Sequence, residues 1–362
     1  MPLILGVCPR SGLVQLTHTF PPEELMPRVP WLTVFEPEGH LDALADMLAT
    51  LPGLSTEDWV AGYSSKDDSL LRRLGERGFP RQWRLDPALD LGISNPCAFV
   101  ETFQVPFVNG AATNAIARAG KPKLFLIRHV LEHSYDLLAF LRAARNVVHP
   151  DGYIIFEVPD CTRALENLDY TTLWEEHSVY FTPATLQISL TLAGLELVHF
   201  DVVPHPFENC MVAICRIGAP PEASVKCFNT DSELKRARRF ASEFEKVTAN
   251  FNAHLEQYRS QGIKMALFGA GHLAVAFTSL HRTADFFDFV VDDNPHKTGR
   301  HLAGSGLPIS PSSDLLRENV NLCLLALNPE HEEKIISKNA ALCQNKISFG
   351  SVFPSSSLYL FT

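Results

Sequence analysis

The chain has 362 residues, 46% hydrophobic and 20% charged, with a net charge of −10. That composition suits a globular protein of about two domains. The acidic balance excludes the electrostatic footprint that nucleic-acid phosphates or an anionic membrane surface require, and no apolar run reaches about 18 residues, so no membrane span is expected.

Residues 1–30 read as proline-rich loop, and the opening Met1-Pro2-Leu3-Ile4-Leu5 has no basic segment of the kind that precedes a secretory leader. Leu41, Leu44, Met47, Leu48 and Leu51 recur at helical spacing across 39–52. The pattern then alternates: strand 58–63, helix 69–77, strand 82–85, strand 123–127, amphipathic helix 137–148 and strand 153–158. His149-Pro150-Asp151-Gly152 supplies the turn before the last of these. Strand–helix alternation at this spacing predicts an α/β fold with a parallel sheet covered on both faces. Residues 231–261 are highly charged, with Leu234, Ala237, Phe240, Phe244, Val247 and Phe251 at helical spacing, and predict one long helix. A second α/β unit follows, with strands 264–268, 289–292 and 321–327. The expected division is a segment 1–38, a domain 39–218, a helical linker 219–262 and a domain 263–362. The eight cysteines are scattered without a C-x-x-C pair, as expected of reduced thiols in a cytoplasmic protein.

Open α/β sheets bind ligands outside the carboxyl ends of their strands. Ser64-Ser65-Lys66-Asp67-Asp68 follows the first strand and Asp86 ends the second, an acid suited to the ribose of NAD or S-adenosylmethionine (SAM). Arg128-His129-Val130-Leu131-Glu132-His133 follows the third. Its H-x-x-E-H order is that of an inverted zinc-protease motif, which needs a helix to put both histidines on one face. Here it leaves a buried strand and opens a loop, so no metal is expected; His133 is expected to bond loop backbone. Gly269-Ala270-Gly271-His272-Leu273-Ala274, with Asp292 ending the next strand, reads by itself as a dinucleotide fingerprint. An NAD(P)-dependent oxidoreductase is therefore the competing enzyme class.

Taken in order, these segments resemble the SAM-dependent sugar C-methyltransferase family. The run from Leu126 to His133, the His149–Gly152 turn and the strand to Glu157 look like the second half of a class I methyltransferase domain. Trp174-Glu175-Glu176-His177-Ser178-Val179-Tyr180-Phe181 resembles the family's Glu-His pair followed by Tyr-Phe. Residues 9–27 resemble the stretch after its N-terminal zinc segment, and Phe268–Gly271 with Val291–Gly299 resemble its C-terminal domain.

The resemblance implies a class I (Rossmann-like) methyltransferase domain, a long helix and a second Rossmann-like domain without a redox role. It implies methyl transfer from SAM to a carbon of a small activated metabolite, such as a nucleotide sugar or another secondary-metabolite precursor. Gly62, Ser64, Lys66, Asp67, Asp86, Arg128, His129 and Glu132 would face the cofactor, and Trp174 and Tyr180 the substrate. Methylation at carbon needs a carbanion, hence a base; a histidine titrates near neutrality, and the resemblance assigns that role to His177 with Glu176 as its helper. The expected assembly is a monomer or homodimer.

Three departures stand out. Ser11 occupies the place of a cysteine partner to Cys8, so no structural zinc is expected there. Ser64 and Asp68 replace both glycines of the family's cofactor loop, which admits as an alternative a scaffold that no longer transfers methyl. Trp31 and Phe35 are the aromatics where the family has a tyrosine.

Overall fold

A computed structural model describes residues 2–26, 36–219, 228–340 and 347–362; Trp31 and Phe35 lie outside them. The chain divides into two compact units, one of residues 1–162 and 175–234, the other of 163–174 and 235–362.

In the first unit the elements are β1 (Leu5–Val7), β2 (Val14–Leu16), α1 (Leu41–Ala49), β3 (Val60–Gly62), α2 (Asp68–Glu76), β4 (Gln82–Arg84), α3 (Val100–Val108) and α4 (Thr113–Ala119). They continue with β5 (Leu124–Arg128), α5 (Leu137–Val147), β6 (Tyr153–Pro159), β7 (Val179–Tyr180), α6 (Pro183–Leu192), β8 (Leu195–Val203) and β9 (Cys210–Ile217). Six strands form one sheet in the order β4-β3-β5-β6-β9-β8. The first four are parallel, and β9 and β8 close the edge antiparallel.

The period of two along each strand sorts the core into two layers. Phe125, Ile127, Ile154 and Phe156 pack with Phe103, Phe107, Phe140 and Leu141 on one face. Leu124, Leu126, Tyr153 and Ile155 pack with Leu41, Leu44, Leu48, Leu70, Leu71 and Leu74 on the other. The chain leaves β3 toward β4, then returns to place β5 on the opposite side of β3. This reversal sets the crevice position of the topology between the carboxyl ends of β3 and β5, where open α/β sheets take their ligands.

The expectation of loop across 1–30 is corrected. Strands β1 and β2 form a hairpin, and β2 pairs with β7 through Val14↔Tyr180 and Gln15↔Val179. Each of these strands is too short to show a period of two in the sequence. Helices α3 and α4 and the β8–β9 hairpin are further elements that the periodicity leaves unassigned.

Helix α7 spans Asp231–Ser260. In the second unit, β10 (Met265–Phe268), α8 (His272–Leu280), β11 (Val290–Val291), β12 (Ile309–Ser310), β13 (Leu322–Leu325) and β14 (Ser348–Ser351) build an all-parallel sheet in the order β12-β11-β10-β13-β14. Phe251 of α7 packs edge-on against Phe277 and Phe361, anchoring the helix within this unit. Among the described residues no helix is long and apolar enough to cross a membrane.

Gly269 ends β10 at φ +102°, and a Cβ there would stand 3.0 Å from Leu327 Cβ and 3.1 Å from the Ala326 carbonyl oxygen. Strain and crowding act together at this position. Gly269→Ala is therefore expected to cost about 1–3 kcal/mol, read as a lowered denaturation midpoint. An unchanged midpoint would contradict the packing role given to this glycine.

Candidate active site

The turn after β3 is closed by its own side chains. Ser64 accepts the Lys66 N–H at 3.2 Å, and the Asp67 carboxylate accepts N–H bonds from Tyr63 at 2.8 Å and Ser64 at 2.9 Å. The other Asp67 oxygen accepts the Arg128 backbone N–H at 3.0 Å, tying this turn to the end of β5. Gly62 leaves room for that carboxylate: a Cβ there would lie 2.8 Å from Asp67 Cβ. Ser64 is extended, at φ −142°, so the residue replacing a glycine carries no left-handed strain.

Arg128 reaches back into the protein. Its Nε donates to Glu157 Oε2 at 2.6 Å, Nη2 to Glu157 Oε1 at 3.1 Å and Nη1 to the Lys66 carbonyl at 2.6 Å. His129, held at φ +49°, sets Nε2 3.0 Å from Glu157 Oε1 and Nδ1 3.6 Å from both Glu132 Oε1 and Glu36 Oε2. Burial disfavours a charged ring here, but Glu36, Glu132 and Glu157 outweigh it and hold His129 protonated up to about 10. Burial likewise opposes ionisation of Glu36, and His129 and Lys66 overcome it, holding the carboxyl near 2. Lys66 donates to Glu36 at 2.7 Å and lies 5.7 Å from the centre of the Phe99 ring. Asp67 and Arg128 are thus corrected from ligand contacts to internal ties, while the Lys66 cation at this edge is paired with Glu36.

Asp86 follows β4. Its Oδ1 accepts the N–H groups of Ala88 and Leu89, both at 2.9 Å, which commits one of its two oxygens to the turn.

On the other side of the crevice, the loop after β5 is pinned at three points. Gln104 donates to the His133 carbonyl at 2.5 Å and accepts the Tyr135 N–H at 3.1 Å, and Ser178 donates to the Ser134 carbonyl at 2.6 Å. His133 Nδ1 meets Glu101 Oε1 at 2.8 Å, and the ring stands edge-on to His177 at 4.8 Å. His133 therefore contacts a carboxylate, a correction to the backbone role expected of it. Donor atoms of Glu101, His133 and Glu176 lie within 4.8 Å of one another, as do those of Glu132, His133 and His177. Burial, and then the neighbouring Glu101 carboxylate, push the Glu176 carboxyl up to about 7. Glu101 went unnoticed because it lies on α3, whose motif carries no spacing signal.

Two residues expected at the substrate have other contacts. Tyr180 is 1% exposed and strand-paired with Val14, so it is a packing residue. Trp174 belongs to the second unit, where it stacks on His272 with ring centroids 4.2 Å apart. The competing dinucleotide reading also fails at a specific group. Asp292 accepts from the Ala270 N–H, Lys297 Nζ and the Asn294 N–H, all at 2.9 Å, so its carboxylate closes its own loop.

Whether the crevice suits SAM is tested by the polar atoms its walls leave unmatched. Glu132 Oε2, Ser134 Oγ and Tyr135 OH are buried without a hydrogen-bond partner among the described residues. Such groups cost about 1–3 kcal/mol each unless matched. A ligand with amine, carboxylate and hydroxyl groups fits them, with the Lys66 cation and the uncommitted Asp86 oxygen at the same sheet edge.

Asp67→Asn is expected to turn an amide N–H toward buried N–H donors and to cost about 1–3 kcal/mol of stability, read in a urea titration. A variant as stable as the wild type would mean that Asp67 does not hold the turn.

A methyltransferase-domain family model matches residues 63–200, and a model of the C-methyltransferase C-terminal domain matches residues 229–354. The C-methyltransferase NovU of Streptomyces niveus is 26% identical over 329 residues, covering 85% of this chain and 76% of that protein. Solved structures that resemble this chain include CalO1, a methyltransferase of calicheamicin biosynthesis in its S-adenosylhomocysteine-bound form. It is 18% identical with a TM-score of 0.32, over 48% of this chain and 53% of that one. Another is the 1,6-didemethyltoxoflavin N1-methyltransferase of Burkholderia thailandensis, 14% identical with a TM-score of 0.31, over 49% of this chain and 79% of that one. The chain is a SAM-dependent methyltransferase in which a methyltransferase domain is followed by a C-methyltransferase C-terminal domain.

Proposed function

We propose that the protein methylates a carbon atom of a small activated metabolite, a nucleotide sugar or a related secondary-metabolite precursor, with His177 as the base. The observation that carries this reading is the convergence of Glu101, Glu132, Glu176 and His177 on His133, beside the crevice between β3 and β5. A saturated carbon next to a carbonyl acquires a methyl group only once a C–H proton has been removed to give an enolate. A partly buried cluster of imidazoles and carboxylates, one of them titrating near neutrality, supplies an acceptor for that proton. The match to a C-methyltransferase C-terminal domain and the name of the Streptomyces relative favour carbon over oxygen or nitrogen.

When bound, SAM supplies the electrophilic methyl. In this proposal Asp86 holds ribose hydroxyls, Lys66 neutralises the methionine carboxylate, and the backbone after Gly62 lines the crevice. His177 would accept the C–H proton of the bound substrate. Glu176 and Glu101 balance the positive charge that His177 gains. The fixed loop from His133 to Tyr135 keeps that pair in position.

His177→Ala is expected to lower kcat by about 10²–10⁴-fold with SAM affinity unchanged. Turnover at the wild-type rate would remove His177 from the mechanism. The pH profile is set in part by Glu176, ionised above about 7 and protonated below it, so the rate should fall on the acid side of that value. Glu176→Gln is expected to lower the rate and to abolish this limb; a variant profile that keeps the limb would assign it to another group.

A further inference from the structure

Apart from the cluster around His133, the first unit gathers His40, His205 and Cys210 at the carboxyl edge of the sheet. They arrive from three places: His40 immediately precedes α1, His205 sits in the turn between β8 and β9, and Cys210 opens β9 opposite Pro159 of β6. Cys210 Sγ lies 3.6 Å from His205 Nε2 and 3.9 Å from His40 Nε2, and one donor atom from each of the three lies within 4.8 Å of the other two. The two rings meet edge-on, their centroids 5.6 Å apart. Zinc bonds of about 2.3 Å to sulfur and about 2.0–2.1 Å to nitrogen, at a tetrahedral angle, place sulfur and nitrogen about 3.6 Å apart. The Cys210–His205 separation matches that spacing, and the Cys210–His40 separation exceeds it by a few tenths of an ångström.

We propose that His40, His205 and Cys210 bind one zinc ion, with water in the fourth position. Two imidazoles and a thiolate are borderline-to-soft ligands that select zinc-like ions over magnesium or calcium. Binding forms one sulfur–metal bond and releases the thiol proton to solvent, and the two histidines coordinate as neutral rings. His40 Nε2, which lies 3.2 Å from Glu157 Oε1, exchanges that contact for the ion, and Glu157 keeps Arg128 and His129. The ion fastens the chain at His40 to the β8–β9 hairpin. It thereby steadies the stretch carrying Glu36, the partner of Lys66. The site is separate from the cysteine-poor N-terminal hairpin, where Ser11 stands opposite Cys8.

The test uses full-length, tag-free protein, stripped with a chelator and titrated with zinc against a colorimetric competitor. One equivalent is expected. His205→Ala and Cys210→Ser should each lose at least about tenfold in affinity, and Cys323→Ser, a buried thiol of the second unit, should bind as the wild type does. Cobalt should give a thiolate charge-transfer band that Cys210→Ser lacks. His205 is only partly buried, so its variant keeps the test decisive should Cys210→Ser fail to fold. Absence of stoichiometric binding, or binding unchanged in the His205 and Cys210 variants, would overturn the proposal; the second result would move the ion to the cluster around His133.

Discussion

The carboxylate of Glu157 organises the crevice. It is fully buried on β6, and Arg128 and His129 from the end of β5, with His40 from the approach to α1, all direct nitrogen atoms at it. A carboxylate taken out of water at this depth costs several kcal/mol unless its partners are in place. Burial works against ionisation, but His129, His40 and Arg128 hold the Glu157 carboxyl well below the usual carboxylate range. Arg128 and His129 are therefore obligatory, and their positions fix everything attached to them. Arg128 also grips the Lys66 carbonyl and, through its backbone N–H, Asp67. The strand ends on either side of the topological switch are thereby locked to each other.

That lock explains how the loop after β3 does without the glycines that a cofactor turn ordinarily carries. Glycine is needed where φ is positive or where a backbone must be approached closely. Here the turn runs through an extended Ser64 into a single helical turn capped by Ser64 and Asp67. The one glycine that must remain, Gly62, makes space for Asp67. Ser64 and Asp67 hold the turn in place at the end of β3. A second consequence is a division of labour across the crevice. One wall is a saturated ionic frame centred on Glu157. The other, around His133, holds a carboxyl displaced to about 7 and buried polar atoms without partners among the described residues, the condition expected where a ligand and a proton transfer belong.

Strands β3–β6, β10, β11 and β13 were legible as apolar or aromatic runs in a strand–helix alternation bounded by turn residues, and α1, α2, α5 and α7 by their helical spacing. The three-residue strands β1 and β2 were not, since they lie in a proline-rich stretch outside that alternation and have no measurable period of their own. Helix α3 was missed because apolar residues are scattered round it and Pro106 interrupts the pattern. The acid and basic groups at the strand ends were recognisable as a group, but not their directions. Asp67 and Arg128 read as ligand contacts in the sequence and turn inward because each finds buried partners from distant segments, information that spacing does not contain. Trp174 shows the same limit: adjacent in sequence to Glu175, it is packed in the other unit, on His272. Glu101 and the His40, His205 and Cys210 group are brought together only by the fold.

The measurement that bears most directly on the crevice between β3 and β5 is a calorimetric titration of the wild-type protein with SAM, run beside NAD. A single saturable site for SAM and no heat with NAD is the expected result. Saturable binding of NAD with none of SAM would contradict it, and would return the second unit's glycine turn to consideration as the cofactor site.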